Sequence, residues 1–145
     1  GKTITNKSYD GKVYVVEFFF STCPTICPIM NEKMLSIQDD FFGNPNFGIA
    51  SISITPEIDT PETLKEYAKN KLSNKGFKLY VGKGEDEHGG FEHSGLFALI
   101  DKDGYIRSRR DEYGNPIMYY RAIKEQIFDD QIKELKEDIK LLLNE

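Results

Sequence analysis

The chain has 145 residues and a mass of 16.6 kDa, one domain by length and enough to bury about 68–70% of its unfolded surface. Apolar residues make up 39% and charged residues 30%, which excludes a disordered chain. A net charge of −5 without a basic stripe argues against nucleic acid as a partner, and no apolar run of about 18 residues is present to span a membrane. No signal peptide is apparent, and a start at Gly1 leads us to expect that a leader or anchor has been cut away.

Val13–Phe20 is an apolar run interrupted only by Glu17, and its Val and Phe content predicts a buried central strand. It ends at Ser21-Thr22-Cys23-Pro24. From Pro28, placed at the first helical position, Met30, Met34, Ile37 and Phe41 recur at helical spacing and predict an amphipathic helix. Phe47–Thr55 reads as a second strand. Thr60-Pro61-Glu62 is a helix start with Thr60 as N-cap, followed by an apolar face of Leu64, Tyr67, Ala68 and Leu72.

Gly82–Gly90 is a polar, glycine-rich loop. Ser94–Asp101 and Tyr105–Asp111 are predicted strands of a hairpin that turns at Asp103-Gly104. The acids there do not make a calcium loop, because Leu99 stands where the first ligand belongs. A short strand is expected within Ile117–Ala122. A last helix, capped near Asp129 or Asp130, buries Ile132, Leu135, Ile139 and Leu142. This order predicts a single α/β domain over residues 1–145 with a thioredoxin-like fold: a central mixed β-sheet flanked by helices.

Two cysteines and two histidines limit the chemistry; a disulfide-rich scaffold and a four-thiolate iron–sulfur cluster within one chain are excluded. Cys23-Pro24-Thr25-Ile26-Cys27-Pro28 lies between a strand and a helix N-terminus, where partial positive charge favours thiolate. The spacing puts both sulfurs on one side of a turn, able to share a soft metal such as Cu(I) or Zn(II), or to bond to each other. Inert packing, a plain short-loop disulfide and a zinc site with His88 and His93 are the alternatives. The long segment between the Cys pair and the His pair counts against the zinc finger.

The sequence resembles the Sco (SenC) family of copper-binding, thioredoxin-like proteins. The match rests on Cys23-Pro24-Thr25-Ile26-Cys27-Pro28, similar to the family's C-P-x-x-C-P. It rests also on Ser53-Ile54-Thr55-Pro56-Glu57-Ile58-Asp59-Thr60-Pro61, similar to S-x-D-P-x-x-D-T-P, on His93-Ser94, and on Asp101-Lys102-Asp103-Gly104. The resemblance implies one copper ion, as Cu(I) or Cu(II), on Cys23, Cys27 and His93. It implies delivery of copper to, or reduction of the cysteines of, the CuA-bearing subunit of cytochrome c oxidase, with other periplasmic copper or thiol proteins as further partners. A periplasmic protein held to the membrane through an anchor is expected, rather than one of the mitochondrial intermembrane space. His88, in an acidic loop, is expected to be exposed and without a role. Gly89, Gly90 and Gly95 suggest a loop that shifts around His93.

Three departures stand out. Thr55 replaces the family's first Asp. The stretch between the Thr60 helix and His93 is short, and residues between Asn70 and Lys71 are expected to have been omitted. The region Arg107–Ile127 is long. The main alternative function is a periplasmic thiol–disulfide oxidoreductase with Cys23 attacking and Cys27 resolving, without metal transport. A peroxidase is disfavoured, because Val16 and Phe20 stand where the Pro and Thr of a peroxiredoxin motif belong.

Overall fold

A strand with Val13, Val15 and Phe19 on one face needs a layer of apolar side chains against it, and the chain supplies that layer from its first and last helices. The computed structural model describes residues 2–71, 79–81 and 95–145, with backbone only at 71 and 79–81. β1 (Val13–Phe19) is central: β2 (Phe47–Ser53) runs parallel on one side and β4 (Leu96–Ile100) antiparallel on the other. Val13, Val15, Glu17 and Phe19 are fully covered, whereas Phe18 on the opposite face is 46% exposed. Among the described residues the second face, with Tyr14 and Val16 half-buried, is thus covered only in part, where the apolar run interrupted by Glu17 predicts a strand buried on both faces.

The helix before β2, α1 (Ile26–Phe41), buries Met30, Met34, Ile37 and Phe41 as their spacing predicts. Cys27 continues the same stripe one turn earlier, which is why its side chain is fully covered. The helix starts at Ile26, so Pro28 is its third residue rather than its first; any of these positions tolerates Pro, because first-turn N–H groups have no acceptor within the helix. α2 (Pro61–Lys71) begins as expected, with the Thr63 N–H donating to Thr60 Oγ1 at 3.3 Å. It carries Asn70 and Lys71 as successive residues. Leu64 is buried and Tyr67 half-buried; Leu72 lies outside the described residues.

A short β3 (Leu79–Val81), which no sequence pattern announced, extends the sheet parallel to β2. The hairpin is present, but its second strand, β5 (Ile106–Arg107), is much shorter than Tyr105–Asp111. Past Arg107 the Arg109 guanidinium donates to Asp138 at 3.0 Å on the last helix, and the Arg109 carbonyl accepts from the Ile117 N–H at 3.2 Å. At the turn, Asp101 Oδ1 accepts from the N–H groups of Asp103 and Tyr105, and its Oδ2 accepts from Arg107 at 3.1 Å. The aspartate is thus the staple of its own hairpin.

β6 (Tyr120–Arg121) pairs with the start of β4 and is shorter than the Ile117–Ala122 expected. Tyr120 is fully buried and its hydroxyl donates to Asp138 at 2.6 Å. α3 (Ile132–Asn144) buries Ile132, Leu135, Ile139 and Leu142, each contributing about 1.5–3 kcal/mol. Its N-cap is Gln131, not Asp129 or Asp130. The Asp130 carboxylate still accepts from the Ile132 N–H at 3.2 Å and pairs with Lys33 at 3.1 Å, tying α3 to α1. The order β3-β2-β1-β4-β5, with α1 joining β1 to β2 and α3 closing the hairpin, is the thioredoxin-like arrangement.

Candidate metal centre

The strand-to-helix turn after β1 places the two cysteines. The Cys23 N–H donates to Phe20 O at 3.2 Å, closing the turn, and α1 starts three residues later. The Cys27 N–H, in the first turn of α1, points out of the helix and donates to Cys23 Sγ at 3.4 Å. Both residues are thiols, not joined as a disulfide. Cys23 is 7% exposed and Cys27 0%. Phe19 and Leu64 are buried with them, and Phe20, Ile26 and Tyr67 pack around the group.

Their surroundings pull the two thiols apart. Burial would raise Cys23, but hydrogen bonds from the backbone and side chains of Cys27 and Thr25 outweigh it and hold Cys23 below the usual thiol range. Cys27 is pushed up to about 12, first by burial and then by the Cys23 sulfur and the Glu17 carboxylate nearby, against a hydrogen bond with the Phe20 backbone. The two buried thiols therefore differ: the surroundings favour the charged form more at Cys23 than at Cys27.

Beneath the pair lies a polar cluster that the sequence did not single out. Glu17 is fully buried; its Oε1 accepts from Ser51 Oγ at 2.5 Å, and its Oε2 has no partner among the described residues. Burial raises its carboxyl to about 7, with the Ser51 hydrogen bond opposing. Tyr67 stacks on Phe19 at 5.7 Å between ring centres and accepts from Asn31 Nδ2 at 2.5 Å. The one available signal was a single charge inside an apolar strand.

In the sequence Asp59 stands out only as part of a motif. It is fully buried and accepts from the Ser21 N–H at 3.0 Å, from the Ser21 hydroxyl, from Ser53 Oγ at 2.6 Å and from Thr55 Oγ1 at 3.1 Å. Burial would raise its carboxyl; these hydrogen bonds outweigh burial and hold it below its usual range. Thr55, the departure from the family pattern, spends its hydroxyl on this second acid.

Of the expected ligands, the structure brings Cys23 and Cys27 together. His93 lies outside the described residues, as do His88, Gly89 and Gly90. Among the described residues no group of three or more His, Cys, Asp or Glu side chains is arranged to hold a metal. Two sulfur donors in an apolar pocket fit a soft ion such as Cu(I) and leave a position for a third ligand. Gly95, the first described residue after His93 in the chain, is held in place: its carbonyl accepts from the Ala122 N–H at 2.7 Å. A Cβ there would stand 2.6 Å from Ile123 Cγ1.

The SCO1/SenC family model matches residues 1–75. The chain is 28% identical over 159 aligned positions to the SCO1 protein homolog of Bacillus subtilis, covering 94% of this chain and 76% of that one. It is 33% identical over 129 positions to the SCO2-like protein RT0576 of Rickettsia typhi, covering 74% of this chain and 63% of that one. The Bacillus alignment is longer than the chain itself, so it holds gaps opposite this sequence. Among solved structures, the chain resembles BsSco, a member of the Sco family of cytochrome c oxidase assembly proteins in which a disulfide switch was identified. The TM-score is 0.73 at 24% identity, covering 99% of this chain and 87% of that one. It also resembles Bradyrhizobium japonicum ScoI with copper bound, with a TM-score of 0.66 at 21% identity, covering 98% and 92%. At these identities the structures speak for the thioredoxin-like fold.

Proposed function

The chain belongs to the SCO1/SenC family, and from that premise we propose that it is a copper metallochaperone. It takes one copper ion as cargo on Cys23, Cys27 and His93. It passes that copper to, or reduces the cysteines of, the CuA site of cytochrome c oxidase. The observation that carries this reading is the Cys27 N–H held 3.4 Å from Cys23 Sγ at the start of α1, which brings the two buried cysteines together and favours the charged form of Cys23. Cu(I) bound there displaces the Cys27 proton and is held by two soft donors and an imidazole. The copper-bound ScoI neighbour supports the cargo, and the oxidase-assembly role stated for BsSco supports the destination.

The unequal thiols also favour a second reading, thiol–disulfide exchange without metal transport. Cys23 thiolate attacks a partner disulfide, one partner sulfur leaves as thiolate, and Cys27 then displaces the second as it loses its proton. The two electrons pass from this dithiol to the partner, leaving a Cys23–Cys27 disulfide. The proposed location is the periplasm, on a membrane anchor; no helix among the described residues is long and apolar enough to cross a membrane. Metal analysis after Cu(I) loading, with thiol titration on the same sample, tests the main reading. One copper per chain with both thiols blocked supports it, and no retained copper with two titratable thiols contradicts it.

A further inference from the structure

The geometry points to Asp59 as a positioning residue that sets where the Cys23 sulfur stands, by gripping the Ser21 turn from the neighbouring β2–α2 loop. The inference rests on Cys23 and Cys27 being the working pair proposed above. Asp59 belongs to the loop between β2 and α2, while Ser21 belongs to the loop between β1 and α1. The carboxylate accepts both donors of Ser21, its N–H at 3.0 Å and its hydroxyl. The oxygen that takes the Ser21 N–H, Oδ2, also accepts from Ser53 and Thr55, at 2.6 and 3.1 Å. The carboxylate is fully covered and all four donors are neutral, so a rigid set of aligned dipoles holds it rather than a mobile surface ion pair.

The consequence for Cys23 follows from chain geometry. Ser21 is the second residue of the Phe20–Cys23 turn, whose closing hydrogen bond is Cys23 N–H to Phe20 O at 3.2 Å. The last strand-like bond before that turn is Ile54 N–H to Phe19 O at 2.9 Å. Past it, the Asp59 bonds to Ser21 are what tie the turn to the β2–α2 loop among the hydrogen bonds described for these two loops. A turn held this way fixes the direction in which Cys23 leaves it, and so the approach of its sulfur to the Cys27 N–H. Thr55 strengthens the grip: where the family pattern places a second acid, this chain places a hydroxyl that donates to Asp59 instead of competing with it.

The test compares Asp59→Asn, Ser21→Ala and Ser53→Ala, each checked for folding by far-UV circular dichroism. Three readouts are taken: the alkylation rate of Cys23 at pH 7, Cu(I) affinity by chelator competition, and the thiolate-to-copper absorption band. An amide at residue 59 leaves one acceptor oxygen for four donors, so Asp59→Asn should slow Cys23 alkylation at least ~5-fold. It should also weaken Cu(I) at least ~10-fold and shift the band. Ser21→Ala should move all three in the same direction by less, since the Ser21 N–H bond survives. Ser53→Ala removes a donor from the same Oδ2 that takes the Ser21 N–H; it should lower the melting temperature and move the three readouts in the same direction by less than Asp59→Asn does. Wild-type readouts in a folded Asp59→Asn would overturn the inference. If that variant does not fold, wild-type readouts in Ser21→Ala would do the same. If the wild-type chain binds no copper while Asp59→Asn still slows alkylation, the metal reading falls and the positioning role stands.

Discussion

The backbone N–H of Cys27 donates to the sulfur of Cys23 at 3.4 Å, so the second cysteine supports the first through its main chain while its own side chain turns into the core. The two cysteines consequently have different chemistry, although a C-x3-C spacing treats them alike. Because the supporting donor is a backbone group, it survives replacement of the Cys27 side chain.

Selective alkylation reads this difference. In the reduced, copper-free protein, iodoacetamide should modify Cys23 first, with a rate that levels off below the pH of an ordinary thiol. Cys27 should resist modification across the neutral range. Cys27→Ser should leave the Cys23 profile close to wild type. Mass-mapped modification of Cys27 ahead of Cys23 would contradict the geometry.

Glu17 makes stability depend on pH. Its folded-state value of about 7 lies above the ordinary 4.5, so the folded protein holds a proton that the unfolded chain has released. The sign follows: its contribution is fully present below about 4.5 and is lost as pH rises through about 7, a change of about 3 kcal/mol. Urea unfolding at several pH values should show that decline, and Glu17→Gln should flatten it. A Gln variant with the wild-type slope would place the titrating group elsewhere.

Gly95 has no room for a side chain. Gly95→Ala should destabilise by about 1–3 kcal/mol through the clash with Ile123. Ile123→Ala in the same chain should recover part of that loss, and a double-mutant cycle in thermal unfolding measures the coupling. Strict additivity of the two changes would show that the contact is not felt.

Much of the molecule was legible in the sequence. The Met30, Met34, Ile37 and Phe41 stripe and the Ile132, Leu135, Ile139 and Leu142 stripe form the core as their periods predict. The strand–helix setting of Cys23 and Cys27 is what gives them their place. Periodicity failed where it had too few residues to act on, as in the three-residue β3, or where side chains far along the chain decided the outcome. Just past β5, Arg109 reaches Asp138, a pairing that nothing near Arg109 announces. Glu17 and Asp59 were visible as residues but not as partners of Ser51 and Ser21, because those pairings exist only once β1 and β2 lie side by side. His93 rests on resemblance alone.

The short connection between α2 and β4 bears on that histidine. The family model ends its match at residue 75, and the Bacillus alignment carries gaps opposite this chain. We expect the purified protein to contain residues between Asn70 and Lys71. Peptide mapping should then fail to find a peptide in which these two are adjacent; recovering one would show that the connection is as short as the sequence gives it.

Copper binding by His93→Ala, measured beside the wild type and His88→Ala by chelator competition and absorption, tests the proposed centre most directly. A site of Cys23, Cys27 and His93 predicts that His93→Ala weakens copper at least ~10-fold, about 1.4 kcal/mol, and shifts the thiolate-to-copper band, while His88→Ala does neither. Unchanged affinity and spectrum in folded His93→Ala would contradict the two-cysteine, one-histidine site and leave thiol–disulfide exchange as the better reading of the cysteine pair.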